Sequence, residues 1–182
     1  ITRYFGESVE TSLGGKFSHD EVNSDNLFQN DSYSYNSSAV YGKFAWEFID
    51  GTTLHLGGMY EQADISSDDA NSYNIGIMQK LDAKNKLRFG YNRGTRLPSI
   101  YEQVGARKFY LHDRGNIPYY DVYSVHELKP EEVVTHDVSW LFQDPDLKLN
   151  SEVRVYLDEY KNLIANQMAP NPGINSSLGP RV

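Results

Sequence analysis

The chain has 182 residues, 14 of them tyrosine, with a formal net charge of -8 at pH 7 and no cysteine. The acidic balance argues against nucleic acid as a partner, because binding to phosphates requires a basic surface. The absence of cysteine excludes a disulfide framework and a thiolate metal site. No stretch approaches the roughly 20 apolar residues of a membrane helix. This does not exclude a membrane β-barrel, because each barrel strand shows only every second residue to lipid.

Alternating apolar and polar residues predict seven β-strands. In chain order the strands cover residues 7–17, 40–48, 54–61, 73–78, 87–92, 134–142 and 147–157. The charged residues of these segments fall on the face opposite the apolar one, at Lys16, Lys43, Glu47, Arg88, Lys148, Glu152 and Arg154. Most of these strands are about ten residues long, which matches the ~9–11 of a tilted membrane strand and exceeds the ~5–6 typical of soluble proteins.

The predicted connections alternate between long and short. Residues 18–37, 63–71 and 93–132 form long polar connections, whereas 49–53, 81–85 and 143–146 form short turns. Long outer loops opposite short periplasmic turns are typical of outer-membrane barrels. The pairs Trp46–Phe48 and Trp140–Phe142 lie beside short turns, where a periplasmic aromatic girdle is expected.

We therefore predict an all-β fold, a portion of an antiparallel up-and-down transmembrane β-barrel with about seven strands. An ordinary antiparallel sheet with one solvated face gives the same alternation. A soluble secreted β-sandwich, such as an adhesin or lectin module, is the alternative from another class, and a passive porin-type channel is a third.

Four segments carry a resemblance to a known family. They read SSAVYGKFAWEFIDGTTLHLGGMYE at 37–61, GYNRGTRLPSIYE at 90–102, ELKPE at 127–131 and YKNLI at 160–164. In this order they resemble the barrel of TonB-dependent outer-membrane receptors, over a stretch from about Val9 to Ile164. Two of these segments depart from the family pattern. Thr95 and Leu97 stand where the family often has Phe and Ala, and His126-Glu127 stands in place of the polar residues that precede the LKPE motif in the family.

The resemblance implies that residues 1–182 are a partial receptor barrel domain, without its plug domain and last strands. It implies location in the bacterial outer membrane and contact with outer-membrane lipid. It also implies a plug that rearranges when TonB acts on the N-terminal part of the whole receptor. The implied ligand is a small-molecule iron chelate, most simply a ferric siderophore, with a haem receptor of the same family as the alternative. Neither a resident cofactor nor a resident metal is expected.

The connection at 106–125 holds most of the candidate ligand-binding residues, because its aromatic and cationic side chains suit an anionic aromatic iron chelate. The candidates are Arg96, Arg107, Tyr110, His112, Arg114, Tyr119, Tyr120 and His126. A neutral imidazole of His112 or His126 could ligate haem iron. The simpler interpretation is that the aromatics pack the loop, the histidines are solvated and Arg96 braces a turn.

The sequence predicts no enzyme. It contains no G-x-S-x-G, H-E-x-x-H or phosphate-binding loop. Acidic clusters at 20–31 and 64–69 match no EF-hand spacing, so a solvated loop is the simpler interpretation of them than a Ca²⁺ site.

Overall fold

The computed structural model describes residues 1–6, 8–111, 117–124 and 128–165, with 108–111 and 117–123 described through their backbone. In this part of the chain the strands are β1 (Thr2–Phe5), β2 (Val9–Asn23), β3 (Ser32–Ile49), β4 (Thr52–Ala63), β5 (Ala70–Lys80), β6 (Asn85–Arg96), β7 (Ala106–Leu111), β8 (Ile117–Tyr123), β9 (Glu131–Asp144) and β10 (Leu149–Lys161). One short helix, α1, covers Ile100–Val104. Among these residues no helix has the length and apolar character needed to cross a membrane.

Eight strands form one antiparallel sheet in the order β1-β2-β3-β4-β5-β6-β9-β10, and β7 and β8 form a separate hairpin. Apart from β6 and β9, each sheet strand pairs with its neighbour in sequence, which confirms the all-β, up-and-down architecture. The sheet has eight strands rather than about seven, because β1 is too short to show a recognisable alternation. Within the described residues, β1 and β10 are the two edges of the sheet.

The register aligns the apolar positions of neighbouring strands on one face. A row near the middle of the sheet runs through Trp46, Leu54, Ile77, Phe89, Val138 and Val155. Apart from the half-buried Leu54, these large side chains are exposed although they are apolar. We call this side the apolar face and the other the polar face. The predicted division of the strands into two faces is therefore confirmed.

All seven predicted strands are longer in the structure than the sequence predicts. The segment 18–37, expected to be a polar loop, is mostly strand, since β2 and β3 stay paired as far as Asn23 opposite Ser32. The alternation continues there with polar residues on both faces: beyond Phe17 the apolar face carries His19, whose ring Nδ1 lies 2.9 Å from Asn36 Oδ1. The β2–β3 pair thus extends past the end of the apolar band.

The alternation of connection lengths is confirmed. The longer connections, 24–31, 64–69 and 97–130, lie at one end of the sheet, and the tight turns at 50–51, 81–84 and 145–148 lie at the other. The last turn ends later than predicted, because Lys148 has a positive φ and β10 begins only at Leu149. Near the tight turns, Trp140 donates from Nε1 to Asn85 Oδ1 at 3.0 Å.

The longest connection is not a plain loop, because it contains α1 and the β7–β8 hairpin. In the described part of the chain the buried apolar side chains are few: Phe28, Ala70, Val104 and Ala106. Phe28, Val104 and Ala106 belong to the long connections, and Ala70 is the first residue after one of them. The hydrophobic core of this chain therefore lies at the end with long connections.

Candidate functional site

The longest connection begins with a helix that its own sequence caps. Pro98 has no N–H to continue the ladder of β6, so the strand ends before it. Ser99 then caps α1: its hydroxyl accepts from the Glu102 N–H at 3.3 Å, and the Glu102 carboxylate accepts from the Ser99 N–H at 2.7 Å. This reciprocal pair is a capping box. The S-x-x-E spacing was visible in the sequence and could have predicted α1.

Arg96 ties this helix to the far side of the connection. Its two terminal nitrogens donate to the two Glu102 oxygens at 2.8 and 2.9 Å, and its Nε donates to Glu131 at 2.7 Å. The other Glu131 oxygen accepts from the Ile164 N–H at 2.7 Å. The Arg96 guanidinium, followed by the Ser99 N–H, lowers the pKa of Glu102 to about 2. One network therefore joins three of the segments that carry the family resemblance.

The chain after Arg96 crosses the polar face of the sheet. A cleft of about 270 Å³ separates residues 97–100 from strands β2, β3 and β4. Its lining is polar and carries both charges, from Lys16, Asp20, Tyr35, Glu61 and Arg96 among others. Since the side chains on the strands belong to the polar face, the connection leaves the apolar face uncovered.

The connection then meets the loop between β2 and β3 at a junction that we call the clasp, residues 27–29 with 104–106 and Ser124. Phe28 and Gly105 form an isolated antiparallel bridge. The Gln29 N–H donates to Val104 O at 3.0 Å, and the Ala106 N–H donates to Leu27 O at 2.9 Å. The two loops are thus joined by main-chain hydrogen bonds, as strands are.

A second polar cluster lies within the sheet, on the polar face of β6, β9 and β10. Asp137 is only 5% exposed and accepts from Arg88 at 3.2 Å and Asn92 at 3.1 Å, with Arg154 at 3.3 Å. Arg88 also donates to the buried Ser139 hydroxyl at 3.2 Å. We call this cluster the Asp137 network.

The Asp137 network depends on a glycine in the neighbouring strand. Gly90 pairs with Asp137, and a Cβ at Gly90 would collide with the Asp137 carboxylate. The side chain of Asp137 therefore lies flat across the position that a larger residue would fill. Sequence reasoning missed this cluster, because it becomes visible only when the register of β6 against β9 is known.

The predicted ligand-binding residues fall into three groups. Arg96 is held by Glu102 and Glu131, as the simpler interpretation of a bracing arginine requires. Arg107 lies on β7, and Tyr110, Tyr119 and Tyr120 lie on the paired strands of the β7–β8 hairpin, where the backbone of Tyr110 is opposite Pro118. His112, Arg114 and His126 lie outside the described residues. Ligand contact by all eight stays a prediction.

Acidic residues near the long connections have structural partners. Asp64 accepts from the Asn36 N–H at 2.9 Å and the Asn36 side chain at 3.0 Å, and Asp69 accepts from Tyr60 at 2.6 Å. Among the described residues, no group of three or more His, Asp or Glu side chains could hold a metal ion.

Comparison with known proteins defines the class. The chain belongs to the family described as TonB dependent receptor-like, beta-barrel, whose model matches residues 2–180. No curated protein matches the chain.

Solved structures share the fold. A mutant of the ferric enterobactin receptor PfeA from Pseudomonas aeruginosa, in complex with enterobactin, matches 88% of this chain with a TM-score of 0.66 and 14% identity. The siderophore receptor PirA from Acinetobacter baumannii matches 88% of it with a TM-score of 0.65 and 17% identity. The matches cover 26% of each of those two chains, so this chain spans about a quarter of their length.

Proposed function

We propose that this chain is part of an outer-membrane receptor that binds and imports a ferric siderophore. The observation that carries the proposal is the family: the match covers nearly the whole chain, and two structural neighbours are described as a ferric enterobactin receptor and a siderophore receptor. The exposed apolar face supports a place in the outer membrane, since lipid is the solvent that such a face needs.

The β7–β8 hairpin is the proposed ligand-facing element. It carries Arg107 and Lys108 beside Tyr110, Tyr119 and Tyr120. Cationic groups attract an anionic chelate, and aromatic rings add stacking area at a low entropic cost. In the proposed mechanism the hairpin and the barrel interior bind the chelate, and TonB then acts on the plug of the whole receptor to release it inward. The protein in this proposal is a transporter without enzymatic activity.

The first experiment tests import. The full-length receptor is expressed in an iron-starved Gram-negative strain that lacks its own siderophore receptors, and uptake of radioactive iron is measured from ferric catecholate, ferric hydroxamate and haem. We expect saturable uptake of one siderophore class that disappears in a TonB-deficient strain. Uptake of haem alone would favour the haem alternative. Uptake that does not need TonB would favour a passive channel, and no uptake of any chelate would contradict the proposal.

The second experiment tests the hairpin. Tyr119→Ala and Tyr120→Ala, combined, should raise the chelate concentration for half-maximal uptake by about tenfold, because each loses stacking area. Tyr73→Ala is the matched control: it removes a tyrosine from the apolar face and should leave that concentration unchanged. Equal effects of the two changes would assign ligand contact elsewhere.

A further inference from the structure

The β7–β8 hairpin is held at both of its ends by the clasp. Ala106, the first residue of β7, donates to Leu27 O at 2.9 Å. Ser124, directly after β8, donates from its N–H to Gly105 O at 2.8 Å and from its hydroxyl to Tyr101 O at 2.8 Å. Gln29 reaches the same point, because its side-chain amide donates to Ser124 O at 3.3 Å. The β2–β3 loop therefore contacts the hairpin at its entry and at its exit.

The clasp is also a small hydrophobic core. Phe28 is 8% exposed, and its ring makes edge contacts with Tyr33 at 6.0 Å and Tyr101 at 6.3 Å between ring centroids. Val104 and Ala106 are buried at the same junction. Burial of an aromatic side chain and two aliphatic ones stabilises one arrangement of the two loops over others.

The space at the clasp is closely filled. A Cβ at Gly105 would collide with Tyr101 O, so the backbone of the connection packs directly against the end of α1. The start of α1 is in turn fixed by Glu102 to Arg96 and thus to the sheet. The hairpin is connected to the barrel wall by two routes, one through α1 and Arg96 and one through Phe28 and the β2–β3 strands.

We propose that the Phe28 side chain, together with the backbone of Leu27 and Gln29, positions the β7–β8 hairpin for ligand capture. They hold the β7–β8 hairpin in the orientation that binds the chelate, and they make no contact with the chelate themselves. This inference rests on the proposed siderophore-binding function. The clasp stays closed while the chelate binds, so the hairpin is pre-organised.

The test compares two neighbouring residues of the β2–β3 loop in the full-length receptor. Phe28→Ala removes the ring at the centre of the clasp. Leu27→Ala is the matched control, because the Leu27 side chain is exposed and its contact with Ala106 is made by the backbone. Phe28→Ala should weaken chelate binding by about tenfold, because pre-organisation of the hairpin is lost. The maximal rate of chelate uptake, per receptor present in the membrane, should stay unchanged. Leu27→Ala should change binding by less than about twofold.

Hydrogen exchange supplies a readout that needs no ligand. In Phe28→Ala, protection of the Ala106 and Ser124 amides should fall, and protection of β4, β5 and β6 should stay as in the wild type. Loss of protection throughout the sheet would mean that the ring only stabilises the fold, which would overturn the positioning role. If the wild type binds a chelate and Phe28→Ala binds it equally well, the positioning role is wrong, whereas a wild type that binds no chelate contradicts the proposed function itself.

A cross-link tests whether the clasp stays closed or opens during transport. The chain has no cysteine of its own, so Leu27→Cys with Ala106→Cys introduces one defined pair at adjoining backbone positions. The oxidised receptor should bind and import the chelate as the reduced one does. Loss of import on oxidation, restored by reduction, would show that the clasp opens during transport, and failure to cross-link would show that the two loops do not meet in the receptor. Either result would overturn the inference.

Discussion

The two faces of the sheet differ in which side chains they expose and which they bury. On the apolar face, Val155 is 72% exposed in the middle of β10, and its neighbours along the row are exposed apolar residues too. On the polar face, Asp137 is almost completely buried and Arg88, Asn92 and Arg154 surround its carboxylate. A water-soluble sheet would bury the first kind of residue and expose the second.

The difference fits the surroundings that the proposed place in the outer membrane gives to each face. Lipid solvates an apolar side chain at no cost, so the apolar face needs no packing partner. On the polar face each charge must be matched by neighbours in the protein or by water, and an unmatched buried charge is expensive. The alternation in the sequence, with a period of two residues, thus places apolar side chains on one face and polar side chains on the other. A one-residue slip in register would move each set to the opposite face.

The largest expected effect comes from a charge on the apolar face. Val155→Arg should destabilise the full-length receptor in lipid by about 2–4 kcal/mol, because Arg is costly near the middle of a bilayer. Tyr156→Arg is the control: Tyr156 is 62% exposed, similar to Val155, but lies on the polar face opposite Asp137. Urea unfolding in lipid vesicles measures both. Equal losses would contradict a lipid-facing surface, because in water the two exposed sites should behave alike.

A smaller effect is expected on the polar face. Gly90→Ala should cost about 1–3 kcal/mol, because the added Cβ displaces the Asp137 carboxylate from its partners. Gly76 pairs directly with Gly90, and a Cβ there would have its nearest contact at 3.7 Å, so Gly76→Ala should stay within about 0.5 kcal/mol of the wild type. The same unfolding assay compares them. Matching losses would mean that both glycines are required for the strand itself and not for Asp137.

The smallest effect concerns pH at the start of the long connection. The folded-state pKa of Glu102 is about 2, below its ordinary value of 4.5, so the stabilisation of α1 by Arg96 is complete above pH 4.5. It is lost as pH falls from about 4.5 to about 2. Amide protection of Gln103, whose N–H donates to Ser99 O, should fall in that window in the wild type. Glu102→Gln should remove the pH dependence, and a wild-type midpoint at or above 4.5 would contradict the ion pair.

Local patterns were sufficient to predict much of the sheet. Alternation predicted which residues share a face, because strand periodicity is a local property that each segment shows by itself. The short gaps between neighbouring alternating segments predicted the short connections for the same reason. The boundaries were less accurate: polar residues at 18–23 and 32–37 resemble a loop in composition but continue the β2–β3 pairing.

The rest required contacts between distant parts of the chain. Four strands separate Phe28 from Gly105 along the chain, so no local pattern indicates that their backbones pair. Asp137 and Gly90 meet only because β6 and β9 are neighbours in one particular register. Arg96 was identified from the sequence, but its partners Glu102 and Glu131 come from opposite ends of the long connection.

The clasp is built largely from main-chain atoms, and this has a consequence for how the loop can change. Main-chain hydrogen bonds at Leu27, Gln29 and Ala106 do not depend on the identity of the side chains in the hairpin. We therefore expect residues between Ala106 and Ser124 to accept substitution, and even replacement of the whole insert, without losing their attachment. Divergent descendants of one scaffold could acquire new cargo by mutation there, and an engineer could graft a foreign binding loop at the same two points.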